Sequence, residues 1–151
     1  MVKISATITI LAIFATVDCR SQDFDGLRGT AKKSVMETQP GSKLLLKDER
    51  KKEAVYSWTS PRGTTSLLLF YGESADDATK RMEYTSRSLS VGPGVPRNDL
   101  GDEAYYSEGG RGRLWRIRFR KGAVYVEIGA PSFSSAMRIA KRLEKEIVST
   151  R

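Results

Sequence analysis

Residues 113–130 read RLWRIRFRKGAVYVEIGA, two alternating runs of apolar and polar residues on either side of Lys121-Gly122. Period-two alternation broken by a Gly-containing pair predicts two antiparallel strands joined by a tight turn. A two-residue turn at Lys121-Gly122 sets Phe119 opposite Val124, Ile117 opposite Val126 and Trp115 opposite Ile128. These six apolar side chains share one face. Arg116, Arg118 and Arg120 stand on the other, opposite Glu127, Tyr125 and Ala123. A slip of one residue would turn the arginines into the core, so the register of this hairpin is strongly specified. The inner face then needs an apolar cover.

The flanking segments supply one. Upstream, AYYSE at 104–108 reads as a third strand of the same meander. Further back, AVYSWT (54–59) and TTSLLLFY (64–71) are rich in β-branched and aromatic residues and are separated by SPRG, a second hairpin. Ser74, with Asp77 three residues on, opens a helix with inner residues Ala75, Ala78, Met82 and Leu89 that ends near Leu89. Ser132 or Ser134 caps a closing helix that ends near Ser149, striped by Phe133, Ala136, Met137, Ala140, Leu143 and Ile147. The order hairpin, helix, meander, helix predicts an α+β domain over residues 42–151. Its expected form is an antiparallel sheet of about five strands with two helices packed on one face, a two-layer sandwich. Leu67 to Phe70 reads as a strand buried on both sides, with residues 24–46 as the expected cover of the second face. Residues 20–41 are read as a polar tail or short helix, because Gly26 and Gly29 weaken the apolar spacing of Phe24, Leu27, Ala31 and Val35. KLLLKDERKK (43–52) has no decisive period and suits a strand or a helix start equally.

Lys3 followed by the uncharged, mostly apolar run 4–17 predicts a signal peptide over residues 1–19 and an exported chain, periplasmic or extracellular. Cys19 is the only cysteine, which excludes an intrachain disulfide framework, and Asp18 before it argues against lipidation. The formal charge is +8, and residues 111–151 carry the whole excess, with 11 basic and 3 acidic side chains. Such asymmetry points to an anionic partner: an anionic polymer, a lipid surface or an acidic protein, with nucleic acid a lesser candidate.

Histidine is absent, which excludes Ser-His-Asp and Cys-His nucleophilic systems and histidine acid–base catalysis. No metal, cofactor or catalytic residue is expected. The candidate anion site is the basic hairpin face: Arg113, Arg116, Arg118, Arg120, Lys121 and Tyr125. A second reading places a carboxylate-dependent hydrolase or lyase in loop 90–103, with Asp99, Asp102 or Glu103 lining a cleft and at least one carboxyl pKa raised. Asn98 beside these carboxylates offers oxygen ligands to Ca²⁺, but the spacing matches no EF-hand. A third reading is a protein-interaction module of an envelope complex, for which an exposed apolar patch is the signature.

The run LGDEAYY (100–106), followed by RIRFRKGAVYVEIGAPSFSSAMRIAKRLEKEI, resembles the C-terminal half of small exported bacterial α+β domains. Their marks are a GDEAY strand, an FRKG hairpin and a closing helix. The resemblance covers residues 99–148. It implies an envelope setting and an α+β fold, and it assigns no catalytic residue.

Overall fold

A computed structural model describes residues 23–88, 94–108 and 114–147. The signal-peptide reading at 1–19, Arg113 and Leu89 lie outside the described residues. The elements are α1 (Phe24–Thr38), β1 (Lys43–Glu49), β2 (Glu53–Ser60), β3 (Gly63–Tyr71), α2 (Ala75–Ser88), β4 (Val95–Arg97), β5 (Glu103–Ser107), β6 (Trp115–Lys121), β7 (Val124–Ala130) and α3 (Phe133–Glu146). One antiparallel sheet runs β1-β2-β3-β7-β6-β5-β4. The α+β class holds. The sheet has seven strands rather than five, and three helices rather than two are present among the described residues.

The layering also differs from the two-layer expectation. Phe24, Leu27, Ala31 and Val35 of α1 join Ala136, Ile139, Ala140 and Leu143 of α3 over Tyr56, Trp58, Leu67, Leu69, Ile117, Phe119, Val126 and Ile128. Ala78 and Met82 of α2 pack on the other side, against Tyr125, Leu68, Phe70 and Tyr105. The two expected helices therefore lie on opposite faces, and α1 covers the same face as α3. Leu67–Phe70 is covered on both sides, but by α2 on the second face and not by residues 24–46.

Local chemistry explains each new element. Asp23 caps α1 by accepting the Gly26 N–H at 3.0 Å, and a Cβ on Gly26 would meet that carboxylate at 2.5 Å. This glycine makes room for the cap. In α2, Ser74 Oγ accepts the Asp77 N–H at 3.2 Å, and Asp77 in turn accepts the Glu73 N–H at 3.0 Å. Ala75 is exposed, and Thr85 takes an inner position beside Ala78 and Met82. Ser132 caps α3 through the Ser135 N–H. β4 is three residues long with Pro96 at its centre, which suits a sheet edge because proline has no N–H to pair.

The decisive hairpin keeps its facing but shifts its register by two. Phe119 pairs with Val126, Ile117 with Ile128 and Trp115 with Ala130, while Arg118 pairs with Glu127 and Arg120 with Tyr125. The turn is Gly122-Ala123, with Gly122 at φ +54. A glycine leading a two-residue turn at positive φ matches the strand twist, so the turn begins at Gly122 and not at Lys121.

Candidate functional site

Cross-strand registers lay out the α2 face of the sheet in rows. One row runs Asp48, Val55, Leu68, Glu127, Arg118, Tyr105. Its neighbour runs Leu46, Ser57, Ser66, Gly129, Arg116, Ser107. On the other flank, Glu53, Phe70, Tyr125, Arg120 and Glu103 align. The three arginines do share one face, as their alternation requires. That face is not an open solvated stripe, because α2 lies across it.

Arg118 is 2% exposed and Tyr125 is fully buried. Arg118 Nη1 donates to Ser86 Oγ of α2 at 2.5 Å, and its Nε lies 3.8 Å from Glu127. Its Nη2 is buried without a hydrogen-bond partner. Arg116 pairs with Glu127 at 2.6 Å, and the same carboxylate accepts the Tyr125 hydroxyl at 3.0 Å. Burial, and then the Glu127 charge, push the Tyr125 phenol well above its ordinary pKa. Arg120 reaches Asp102 at 3.0 Å and lies 3.7 Å from Glu103. Lys121 leaves this group altogether: its Nζ donates to the Glu144 carbonyl near the end of α3 at 2.8 Å. The expected anion site is therefore a set of internal ion pairs. Arg116 alone of the three arginines combines a partly exposed side chain with a place beside a groove.

The carboxylates of residues 94–103 are occupied as well. Asp99 receives Arg97 through Nε at 2.7 Å and Nη2 at 2.6 Å, a fork that holds its carboxyl below the usual range. That is opposite to the raised pKa the hydrolase reading requires. Asp102 accepts the Gly122 N–H at 2.7 Å and so ties the loop to the hairpin turn. Glu103 accepts the Tyr105 hydroxyl at 2.9 Å. Among the described residues, no cluster of His, Cys, Asp and Glu is placed to hold a metal ion.

Two features carry no mark in the hairpin sequence. The first is β1, a sheet edge on which Leu44, Leu45 and Leu46 are 44%, 65% and 50% exposed. A bulge falls between Leu44 and Leu46, and it places three consecutive leucines at the edge where a regular strand would alternate. Lys43 and Lys47 flank this run; Lys47 pairs with Glu49 at 3.0 Å, while Lys43, and Lys51 in the turn after β1, have no carboxylate at ion-pair distance among the described residues. The second is a groove of about 360 Å³ between α2 and the sheet, bordered by Val55, Leu68, Arg81, Tyr84, Arg116 and Glu127. The sequence signal for β1 was the unperiodic KLLLKDE itself. The groove had none, since α2 and β6 are distant in the chain.

No helix among the described residues is long and apolar enough to cross a membrane. No family model matches the sequence, and no curated protein matches it. Among solved structures, the chain is similar to the crystal structure of a GTP binding regulator from Thermotoga maritima. The likeness has 10% identity and a TM-score of 0.48, and it covers 78% of this chain and 87% of that one.

Proposed function

We propose that this chain is an exported, non-enzymatic accessory domain that docks reversibly on an anionic lipid surface through β1. The observation that carries the reading is the run of three exposed leucines on β1, a sheet edge whose outer side no described strand pairs. Lys43 beside it and Lys51 in the turn after β1, on a chain of formal charge +8, supply the matching electrostatics. The bulge and the lysines blunt strand-to-strand pairing, because both are devices that keep edge strands from adding a neighbour. The leucines are thereby better suited to an apolar phase than to a partner strand.

Magnitudes fit a peripheral contact. Three half-exposed leucines retain about 1 kcal/mol each of unburied transfer free energy. Each lysine near an anionic surface adds about 1 kcal/mol. The resulting association constant is on the order of 10⁴ M⁻¹, like that of a single myristoyl chain.

Co-sedimentation with vesicles tests the reading. The chain should bind vesicles containing phosphatidylglycerol and release them at high salt, and it should ignore pure phosphatidylcholine. Leu45→Ser with Leu46→Ser should lower binding at least tenfold, and Lys43→Gln with Lys51→Gln about as much. Equal binding by parent and variants would overturn the proposal. So would vesicle-independent dimerisation through β1, which would favour a protein partner instead.

A further inference from the structure

The groove beside α2 combines a charge imbalance with an apolar wall. Arg81, Arg116 and Arg118 cluster at or beside it, and among the described residues Glu53 and Glu127 alone face them at ion-pair distance. Arg81 donates to Glu53 at 2.6 Å, yet its Nε is buried without a hydrogen-bond partner. Arg118 Nη2 is a second buried guanidinium nitrogen without a partner. Among the described residues, three cations against two carboxylates leave one positive charge in excess in a partly desolvated place, where an unpaired charge is costly. The remaining border is mostly apolar and aromatic, Val55, Leu67, Leu68 and Tyr84, with the hydroxyls of Ser66 and Thr85 beside them.

A volume of 360 Å³ accommodates on the order of ten non-hydrogen atoms, taking about 30 Å³ for each as in liquid water.

We propose that this groove binds a single-chain anionic amphiphile of medium length, with its head on the guanidinium groups of Arg116 and Arg81 and its chain along Val55 and Leu68. A planar guanidinium suits an oxyanion head, and the apolar wall selects an alkyl tail over a sugar or a peptide. This inference does not rest on lipid-surface docking by β1, and either can fail alone.

Titration calorimetry on the purified full-length chain with octanoate, octyl phosphate and neutral octanol tests it. One-to-one saturable binding is expected for at least one of the two anions below its aggregation concentration, with octanol at least tenfold weaker. Tighter octyl phosphate supports the site with a phospholipid-derived ligand, and tighter octanoate supports it with a free fatty acid. Arg116→Gln should weaken binding at least tenfold by removing the head contact. Val55→Trp, which fills the groove at a half-buried strand position, should abolish it, while Leu45→Ser with Leu46→Ser should leave it unchanged. Near-ultraviolet circular dichroism establishes that each variant is folded. Octanol binding as tightly as the anions would overturn the proposal. So would no saturable binding of either anion, or folded Arg116→Gln and Val55→Trp chains that bind like the parent.

Discussion

Glu127 sits between Arg116 at 2.6 Å and Arg118 at 3.8 Å and accepts the Tyr125 hydroxyl, so one buried carboxylate holds two cations and a phenol in place. Removing one partner of a buried ion pair typically costs about 3–5 kcal/mol, because the other charge is left behind. Glu127→Gln should therefore destabilise the fold by about 3 kcal/mol in urea denaturation. Arg116→Gln should cost about 1 kcal/mol or less, since Arg116 lies at the groove edge and Arg118 remains as counter-ion to Glu127. A loss of about 1 kcal/mol or less for Glu127→Gln would mean that its charge does not hold the two arginines. At this scale the sequence was legible in part. Alternation placed Arg116, Arg118 and Arg120 on one face, and that face is where they are. Which layer would cover them was not legible, because nothing in the hairpin encodes the side on which a helix forty residues earlier comes to rest. Tyr125, expected in the anion site, is a buried hydrogen-bond donor to Glu127 for the same reason.

At the scale of an element, β1 depends on Glu49. Its carboxylate accepts the Tyr56 hydroxyl at 2.5 Å and pairs with Lys47 at 3.0 Å and with Lys32 of α1 at 3.1 Å. The Tyr56 bond first, then Lys47, hold its pKa at about 2 against an ordinary 4.5. A carboxyl with a depressed folded pKa stabilises fully above its unfolded value, and the contribution fades as pH falls through the folded one. The parent should lose this contribution progressively between about pH 4.5 and pH 2. Glu49→Gln should lack it at neutral pH and show a flatter loss across that window. Denaturation midpoints at pH 7, 4 and 2.5 measure this; parallel pH profiles for parent and variant would show that Glu49 does not hold the edge. The strand itself escaped the sequence reading for a physical reason. A bulge between Leu44 and Leu46 interrupts the period-two pattern that marks a strand, so KLLLKDE looked equally like a helix start. β4 escaped because three residues around Pro96 are too few to show any period.

For the molecule as a whole, the question is where the cooperative unit begins. The apolar spacing of Phe24, Leu27, Ala31 and Val35 was legible, but glycines at 26 and 29 made it look like a tail. In the fold, Leu27, Ala31 and Val35 are at most 1% exposed, and their helix lies against α3 over β3. Gln39, just beyond α1, accepts the buried Thr65 hydroxyl at 2.8 Å and so ties the end of the helix to the sheet. A chain starting at residue 42 would therefore leave half of one sheet face and one side of α3 uncovered. Each large apolar side chain so exposed forfeits about 1.5–3 kcal/mol, and several together exceed the 5–15 kcal/mol by which domains are stable. A chain from residue 23 onward should melt cooperatively. A chain from residue 42 onward should show no near-ultraviolet circular dichroism and no cooperative transition. A sharp melt from the shorter chain would make α1 a dispensable cover, and the core would then have to close over β3 through α3 alone.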